Sequence, residues 1–198
     1  STACSSSAKV FASAARLLAS GLIDAAIVGG VDSLCLTTLY GFNSLELVAP
    51  EPCRPYDPAR SGISIGEAAA FVLLERAPDT PGPADIVLSG YGESSDAHHM
   101  SAPHPQGLGA RMAMEQALAC AGLRPTDIDY INLHGTGTPS NDAAEGLAVG
   151  TLFGNRTAAS STKGATGHTL GAAGGLEAVF CAIALAEGMM PGSPGTRE

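Results

Sequence analysis

Three residues are of reactive types and stand in settings that suit chemistry: Cys4, His134 and His168, the last preceded closely by Lys163. Cys4 lies in STACSSSAKVFASAARLL. From Ser5 to Ser20, Ala8, Val10, Phe11, Ala14, Ala15, Leu17 and Leu18 recur at helical spacing. Ser5, Ser6 and Ser7 supply caps and Gly21 supplies a stop. The thiol therefore falls at or just before the N-terminus of a helix. Free backbone N–H groups and the helix dipole favour negative charge there. A thiolate is stabilised at such an end and becomes a nucleophile. The competing reading is a small buried hydrophobe, so the thiol needs partners from elsewhere in the chain.

Two turns offer them. In LHGTGTPSNDAAE, His134 follows an apolar stretch that reads as a strand, and Gly135 and Gly137 keep the backbone open. Ligands of α/β sheets sit at the carboxyl ends of strands, which is where this histidine falls. In STKGATGHTLGAAGG, Lys163 and His168 flank a glycine turn that feeds a helix of small residues. Either histidine alone could be a hydrogen-bonded structural residue. GHTLGAAGG could be taken for a phosphate cradle, but it lacks the P-loop spacing, and no acidic pattern supports a dinucleotide site. A zinc reading of His98, His99 and His104 has no further ligands at suitable spacing. Cys35, Cys53, Cys120 and Cys181 read as packing residues.

These turns need elements to hold them. Asp24–Ser33 reads as a buried strand, LTTLYGFNSLELV as a short irregular helix and GEAAAFVLLER as a strand ending in charge. APEPCRPYDPARSG is a proline-rich loop. Ala77–Ala84, with three prolines in eight residues, is the clearest linker. DIVLSGYGES reads as a strand, Leu108–Gly122 as an amphipathic helix, and IDYINLHGTG as a strand entering a turn. Ala143–Phe153 is helical, TAASSTKG is a strand and turn, and Leu170–Gly188 is a helix of small residues. This alternation predicts an α/β protein with part of its sheet parallel. A loose internal echo appears, each half placing a small-residue helix after a polar turn with a reactive residue.

Composition narrows the partners. The chain has 198 residues, 45% hydrophobic and 15% charged, with 25 glycines and 13 prolines. That is enough to fill a substantial core. A net charge of −9 disfavours nucleic acid and anionic membranes as partners. Five cysteines without a CxxC pair fit free thiols in a reducing, cytoplasmic compartment. No run of 18 apolar residues suggests a membrane span, although Leu176–Ala186 is nearly all apolar.

The combination is more specific than any one part. TACSSSA, HGTGTPSND and KGATGHTLGAAG together resemble the nucleophile, first-histidine and lysine–second-histidine motifs of the β-ketoacyl–acyl carrier protein synthases, condensing enzymes of the thiolase superfamily. RPYDPARSG and SSDAHHMSAPHP are similar to further recurrent segments, and the order matches along essentially the whole chain. The resemblance implies a layered αβαβα thiolase-like fold of two related halves, here incomplete. Residues 1–77 are expected to be the C-terminal part of the first half, starting at the nucleophile. Residues 84–198 are expected to be the second half, truncated at its end. The chain is thus expected to be an internal piece.

The resemblance also implies decarboxylative condensation of a carrier-bound acyl group with a malonyl group. Cys4 would be the acylated nucleophile, and His134 and His168 the donors that stabilise the enolate. Lys163 would hold a charge near them, with Glu145 as its expected ion partner and Asp142 shaping the turn. The implied partners are acyl carrier protein and a second synthase subunit in a homodimer or heterodimer, with no cofactor or metal. Carrier proteins are acidic, so a local basic patch is required, with Lys9, Arg16, Arg54, Arg60, Arg111 and Arg124 as candidates. Ile63, where the family often has an aromatic residue, leans toward a specialised synthase. A thiolase-type acyltransferase would carry a second late cysteine rather than this histidine pair. A non-catalytic chain-length partner usually lacks the nucleophile.

Overall fold

The computed structural model describes residues 1–100 and 102–197; Ser101, inside the histidine-rich loop, and Glu198 lie outside the described residues. In chain order the elements are α1 (Ser6–Ala19), β1 (Ala25–Asp32), α2 (Leu36–Ser44), β2 (Ala68–Glu75), α3 (Leu108–Ala121), β3 (Tyr130–Asn132), α4 (Pro139–Phe153), β4 (Ala158–Ser160), α5 (Lys163–Thr166) and α6 (Ala173–Glu187). They fall into two compact units. One comprises Ser1–Leu34, Gly66–Leu88 and His168–Pro191; the other comprises Cys35–Ile65, Ser89–Gly167 and Gly192–Glu198. In the first unit α6 packs with α1, β1 and β2.

In the first unit β1 and β2 pair antiparallel, from Ala25 opposite Glu75 to Asp32 opposite Ala68. Successive side chains point to opposite faces. Val28 and Ala70 are buried, while Ile27, Val31, Phe71 and Leu73 project from the other face and are largely exposed. The buried face lies against α1 and α6. These are the two helices of the internal echo, and they meet at backbone contact. A Cβ on Gly174 would stand 2.6 Å from Ala8 Cβ and 2.7 Å from Ala8 N, so only glycine permits this approach. The Ser7 hydroxyl accepts the Gly175 N–H at 2.8 Å across the same contact.

A 3₁₀ turn at Leu170–Ala172 runs into α6. Together Leu170–Glu187 form 18 residues of mean hydropathy 1.6, long and apolar enough to cross a bilayer on those measures. Glu177 and Glu187 interrupt it, so it holds no unbroken apolar run of that length, and its bounds match the helix expected at Leu170–Gly188.

In the second unit β3 and β4 pair in parallel, Tyr130 opposite Ala158 through Asn132 opposite Ser160. Helices α3 and α4 pack on each other. The proline-rich loop folds back through a bridge between Val48 and Ile63. The C-terminal segment closes on it, Thr196 donating to the Pro55 carbonyl at 2.7 Å and Arg197 N–H to Asp57 at 2.8 Å.

Most predicted elements are present within a few residues. Two differ. Helix α4 begins at Pro139, four residues before the predicted start, because proline suits the first helical turn and Thr138 precedes it with extended backbone. DIVLSGYGES forms no strand, since no ladder partner lies beside it among the described residues, and Ile86, Val87 and Leu88 are exposed.

Candidate active site

The structure divides the expected site residues between the units. Cys4 and His168 belong to the first; His134, Glu145 and Lys163 belong to the second.

Cys4 is half-buried, two residues ahead of α1. The chain turns sharply there. Ala3 adopts a left-handed φ of 50°, Thr2 and Cys4 bridge, and Ser6 N–H donates to the Ala3 carbonyl at 3.0 Å. A non-glycine residue at positive φ is strained, and such strain gathers at functional turns. His168 is 3% exposed. Its Nδ1 accepts the Leu170 N–H at 3.4 Å, and Leu170 itself is left-handed at φ 50°. With Nδ1 as acceptor, a neutral His168 ring carries its proton on Nε2 and presents a donor there. The backbone around the ring is tied to the sheet. The His168 carbonyl accepts Gly66 N–H at 3.0 Å, and Gly171 N–H donates to Asp32 at 2.9 Å.

In the second unit the His134 turn is held by two acids of α4. Glu145 accepts the His134 N–H at 2.6 Å with one oxygen, and the Gly135 N–H at 2.8 Å with the other. The second oxygen also accepts the Tyr56 hydroxyl at 2.8 Å. Asp142, 2% exposed, accepts the Gly137 N–H at 3.2 Å, the Asn141 side-chain amide at 3.2 Å and the Tyr56 N–H at 2.8 Å. Asp142 thus shapes the turn. Burial, then the neighbouring Glu145 carboxylate, push the Tyr56 phenol far above its ordinary range. It stays protonated and donates.

Lys163 opens α5 and is 2% exposed. A charge so deep must be compensated. Ser161, fully buried, ties this turn to the other, its Oγ donating to the Gly135 carbonyl at 2.7 Å and accepting the Lys163 N–H at 3.3 Å. The Cys53 thiol donates to the Lys163 carbonyl at 3.2 Å, which places this cysteine as a packing residue.

Tyr56 and Ser161 were missed by motif reasoning. Tyr56 lay inside a segment already singled out, RPYDPARSG, but its partners are 86 and 89 residues away. Asp57 beside it is held below the usual carboxylate range, first by the Arg197 and Ala59 N–H donors. Among the basic candidates, Arg111 and Arg124 are paired with Glu115 and Asp127 at 3.1 and 2.7 Å. Arg54 and Arg60 line one shallow depression together. No group of His, Cys, Asp and Glu among the described residues could hold a metal ion.

This α/β fold carries a cysteine just ahead of a helix, a histidine in each of two glycine turns and a buried lysine. Comparison with known proteins gives the family. Residues 1–80 match the beta-ketoacyl synthase N-terminal domain and residues 86–196 match its C-terminal domain. The chain belongs to the beta-ketoacyl synthase family. It is 42% identical over 206 residues to 3-oxoacyl-[acyl-carrier-protein] synthase 2 of Rhizobium meliloti (strain 1021), covering 96% of this chain and 48% of the relative. It is similar to a solved ketosynthase (ApeO) in complex with its chain length factor (ApeC) from Xenorhabdus doucetiae, with TM-score 0.89 and 53% identity, covering 94% of this chain and 45% of that one. The ishigamide ketosynthase/chain length factor matches with TM-score 0.90 and 32% identity over 100% of this chain and 50% of that one. The chain therefore has a thiolase-like fold and spans about half the length of the relatives it matches.

Proposed function

We propose that the protein catalyses decarboxylative condensation between a carrier-bound acyl group and malonyl-carrier protein. The observation that carries this reading is that one unit holds both a thiol just ahead of a helix and a buried histidine whose Nδ1 accepts a backbone N–H, which leaves Nε2 as its donor position. In the first half-reaction the Cys4 thiolate attacks the acyl thioester. The carbonyl–sulfur bond to the carrier breaks, the carrier sulfur leaves as a thiolate that takes up the proton the Cys4 thiol released on ionising, and an acyl-Cys4 thioester remains. In the second, a malonyl thioester loses CO2 and its electron pair passes into an enolate. His134 and His168 donate Nε2–H bonds to the thioester oxygen, where negative charge develops. The enolate carbon attacks the acyl-Cys4 carbonyl and the Cys4 sulfur departs, leaving a 3-oxoacyl chain two carbons longer.

Lys163 holds a positive charge that orients the histidines, with Glu145 as its ion partner by position in the motif. The two sequence halves at 1–77 and 84–198 are taken as the family's two thiolase-like halves. The proposed partners are acyl carrier protein and a second synthase subunit. A chain 53% identical to this one comes from a ketosynthase solved with its chain length factor, which supports the second partner. The five cysteines form no disulfide, which fits the proposed cytoplasmic location.

Intact-mass analysis tests the first step. An acyl adduct on Cys4, lost in Cys4→Ala, is expected after incubation with acyl carrier protein; an adduct on another cysteine that survives Cys4→Ala overturns the assignment. His134→Ala and His168→Ala should each lower malonyl decarboxylation about 100- to 1000-fold while acylation continues.

A further inference from the structure

We propose that Tyr56 is a positioning residue for His134: its hydroxyl fixes the Glu145 carboxylate, which in turn holds the His134 and Gly135 amides and so sets the direction of the imidazole. The proposal rests on the role given to His134 above and names a residue outside the three motifs.

The chain of contact is continuous within one unit. Tyr56 Oη donates to Glu145 at 2.8 Å, and the same carboxylate receives His134 N–H at 2.6 Å and Gly135 N–H at 2.8 Å. The phenol shares one Glu145 oxygen with the Gly135 N–H and so adds a third donor to a carboxylate that serves two amides of one turn. Hydrogen bonds to an ionised carboxylate are short and about twice as strong as neutral ones, so the third donor restrains its orientation. The phenol remains a donor because burial and the adjacent carboxylate disfavour its ionisation.

Tyr56 is itself over-determined. Its backbone is left-handed at φ 64°, an uncommon conformation for an aromatic residue. Its N–H is held by Asp142 at 2.8 Å, the acid that also holds Gly137. Its ring lies against two glycines. A Cβ on Gly135 would stand 3.1 Å from Tyr56 Cε2, and one on Gly146 would stand 3.4 Å from Cε1. Strain retained at a residue bonded to a reactive turn points to a role in that turn. Asp142 and Glu145, three residues apart on α4, thus grip Tyr56 by its amide and its hydroxyl, and grip the HGTG turn by three of its amides.

Tyr56→Phe removes one oxygen and keeps the ring. The test uses the full-length protein with acyl carrier protein and malonyl-carrier protein, and follows acylation of Cys4, decarboxylation, thermal melting and the imidazole signal of His134. That signal is read by NMR with labelled histidine and assigned by its loss in His134→Ala. Decarboxylation should fall about tenfold or more, the rate equivalent of a hydrogen bond to a charged group. Acylation should stay within about twofold, since the proposed function gives His134 a part in decarboxylation and none in acylation. The His134 signal should move. Adding Tyr56→Phe to Glu145→Gln should change decarboxylation less than about twofold, because both act through one carboxylate. Unchanged decarboxylation, an equal fall in both half-reactions, or a full additive loss in the double variant overturns the proposal. So does a Tyr56→Phe protein that does not fold, because the hydroxyl would then be structural. If the unaltered protein decarboxylates nothing, the functional reading fails on its own, and the His134 signal alone decides the positioning role.

Discussion

Replacing Asp142 by Asn tests whether a charged carboxylate, rather than any polar group of that shape, holds the HGTG turn. One oxygen of Asp142 accepts Tyr56 N–H at 2.8 Å, and the other accepts Gly137 N–H and the Asn141 amide, both at 3.2 Å. Asparagine keeps only one acceptor oxygen. Whichever way its amide is turned, an N–H faces either Tyr56 N–H or the Gly137 and Asn141 donors. The side chain is fully buried, so water cannot replace the missing acceptor. Losing one hydrogen bond to a charged group costs about 1.5–3 kcal/mol. Arg60 adds little to this. Its Nε stands 3.6 Å from Asp142, is buried, and makes no hydrogen bond, so the carboxylate is its nearest compensation. The guanidinium keeps its Nη1 bond to the Asp57 carbonyl at 3.0 Å and is partly exposed, so the loss stays at roughly 1.5–3 kcal/mol. Urea unfolding of the whole protein measures the loss as a fall in midpoint with an unchanged slope. A difference below about 0.5 kcal/mol, the range of an ordinary surface substitution, refutes the charged-clamp argument.

Ser161→Ala removes the link between the Gly135 carbonyl and the Lys163 N–H at a fully buried position. It should cost about 1–3 kcal/mol of stability in the same assay, and a neutral result would mean the two turns do not depend on each other. The Arg124–Asp127 pair gives a pH signature. Hydrogen bonds from Arg124 lower Asp127 from 3.8 to about 2. A depressed carboxylate contributes stability that is fully present above the unfolded value and is lost as pH falls through the folded one. The stability difference between the unaltered protein and Asp127→Asn should therefore be constant near neutrality and vanish as pH drops from about 4 to about 2. A difference that grows over that interval contradicts the assigned direction.

What could be read from the sequence followed from range. Helix α1 is encoded by residues within one or two turns of each other, so its period and glycine stop were visible together, but the expected serine cap is absent: the Ser5 and Ser6 hydroxyls donate back to the Thr2 and Ala3 carbonyls. Strand β1 is also in place, but the apolar run that marked it as buried misleads: only Val28 is buried, while Ile27 and Val31 on the outer face are exposed. The strand expected at DIVLSGYGES failed because a ladder needs a neighbour, and sequence pattern does not supply one. The start of α4 was available in the text: Thr138, Pro139 and Asp142 form a helix-start signature that the glycine turn before it obscured.

The candidate site divides along the same line. Cys4, His134, Lys163 and His168 announce themselves because each lies in a short turn whose neighbours are small. The residues that give such a turn its shape are larger and come from outside it. Glu145 is only 11 residues from His134, within reach of motif reasoning, yet its contact is with the backbone amide rather than a side chain. A backbone contact leaves no mark on residue type at the receiving position, so Glu145 is expected from sequence only as an ion partner of Lys163, and its hold on the His134 and Gly135 amides is seen only in the folded turn. Tyr56 is further removed: its link to His134 passes through Glu145, and its distance in sequence is set by a loop, not by a period. Glycine-rich reactive turns therefore display their chemistry in sequence and conceal their supports. A side chain that could brace itself would occupy the space the turn keeps open, so the bracing must come from carboxylates on the next helix and from a distant aromatic residue.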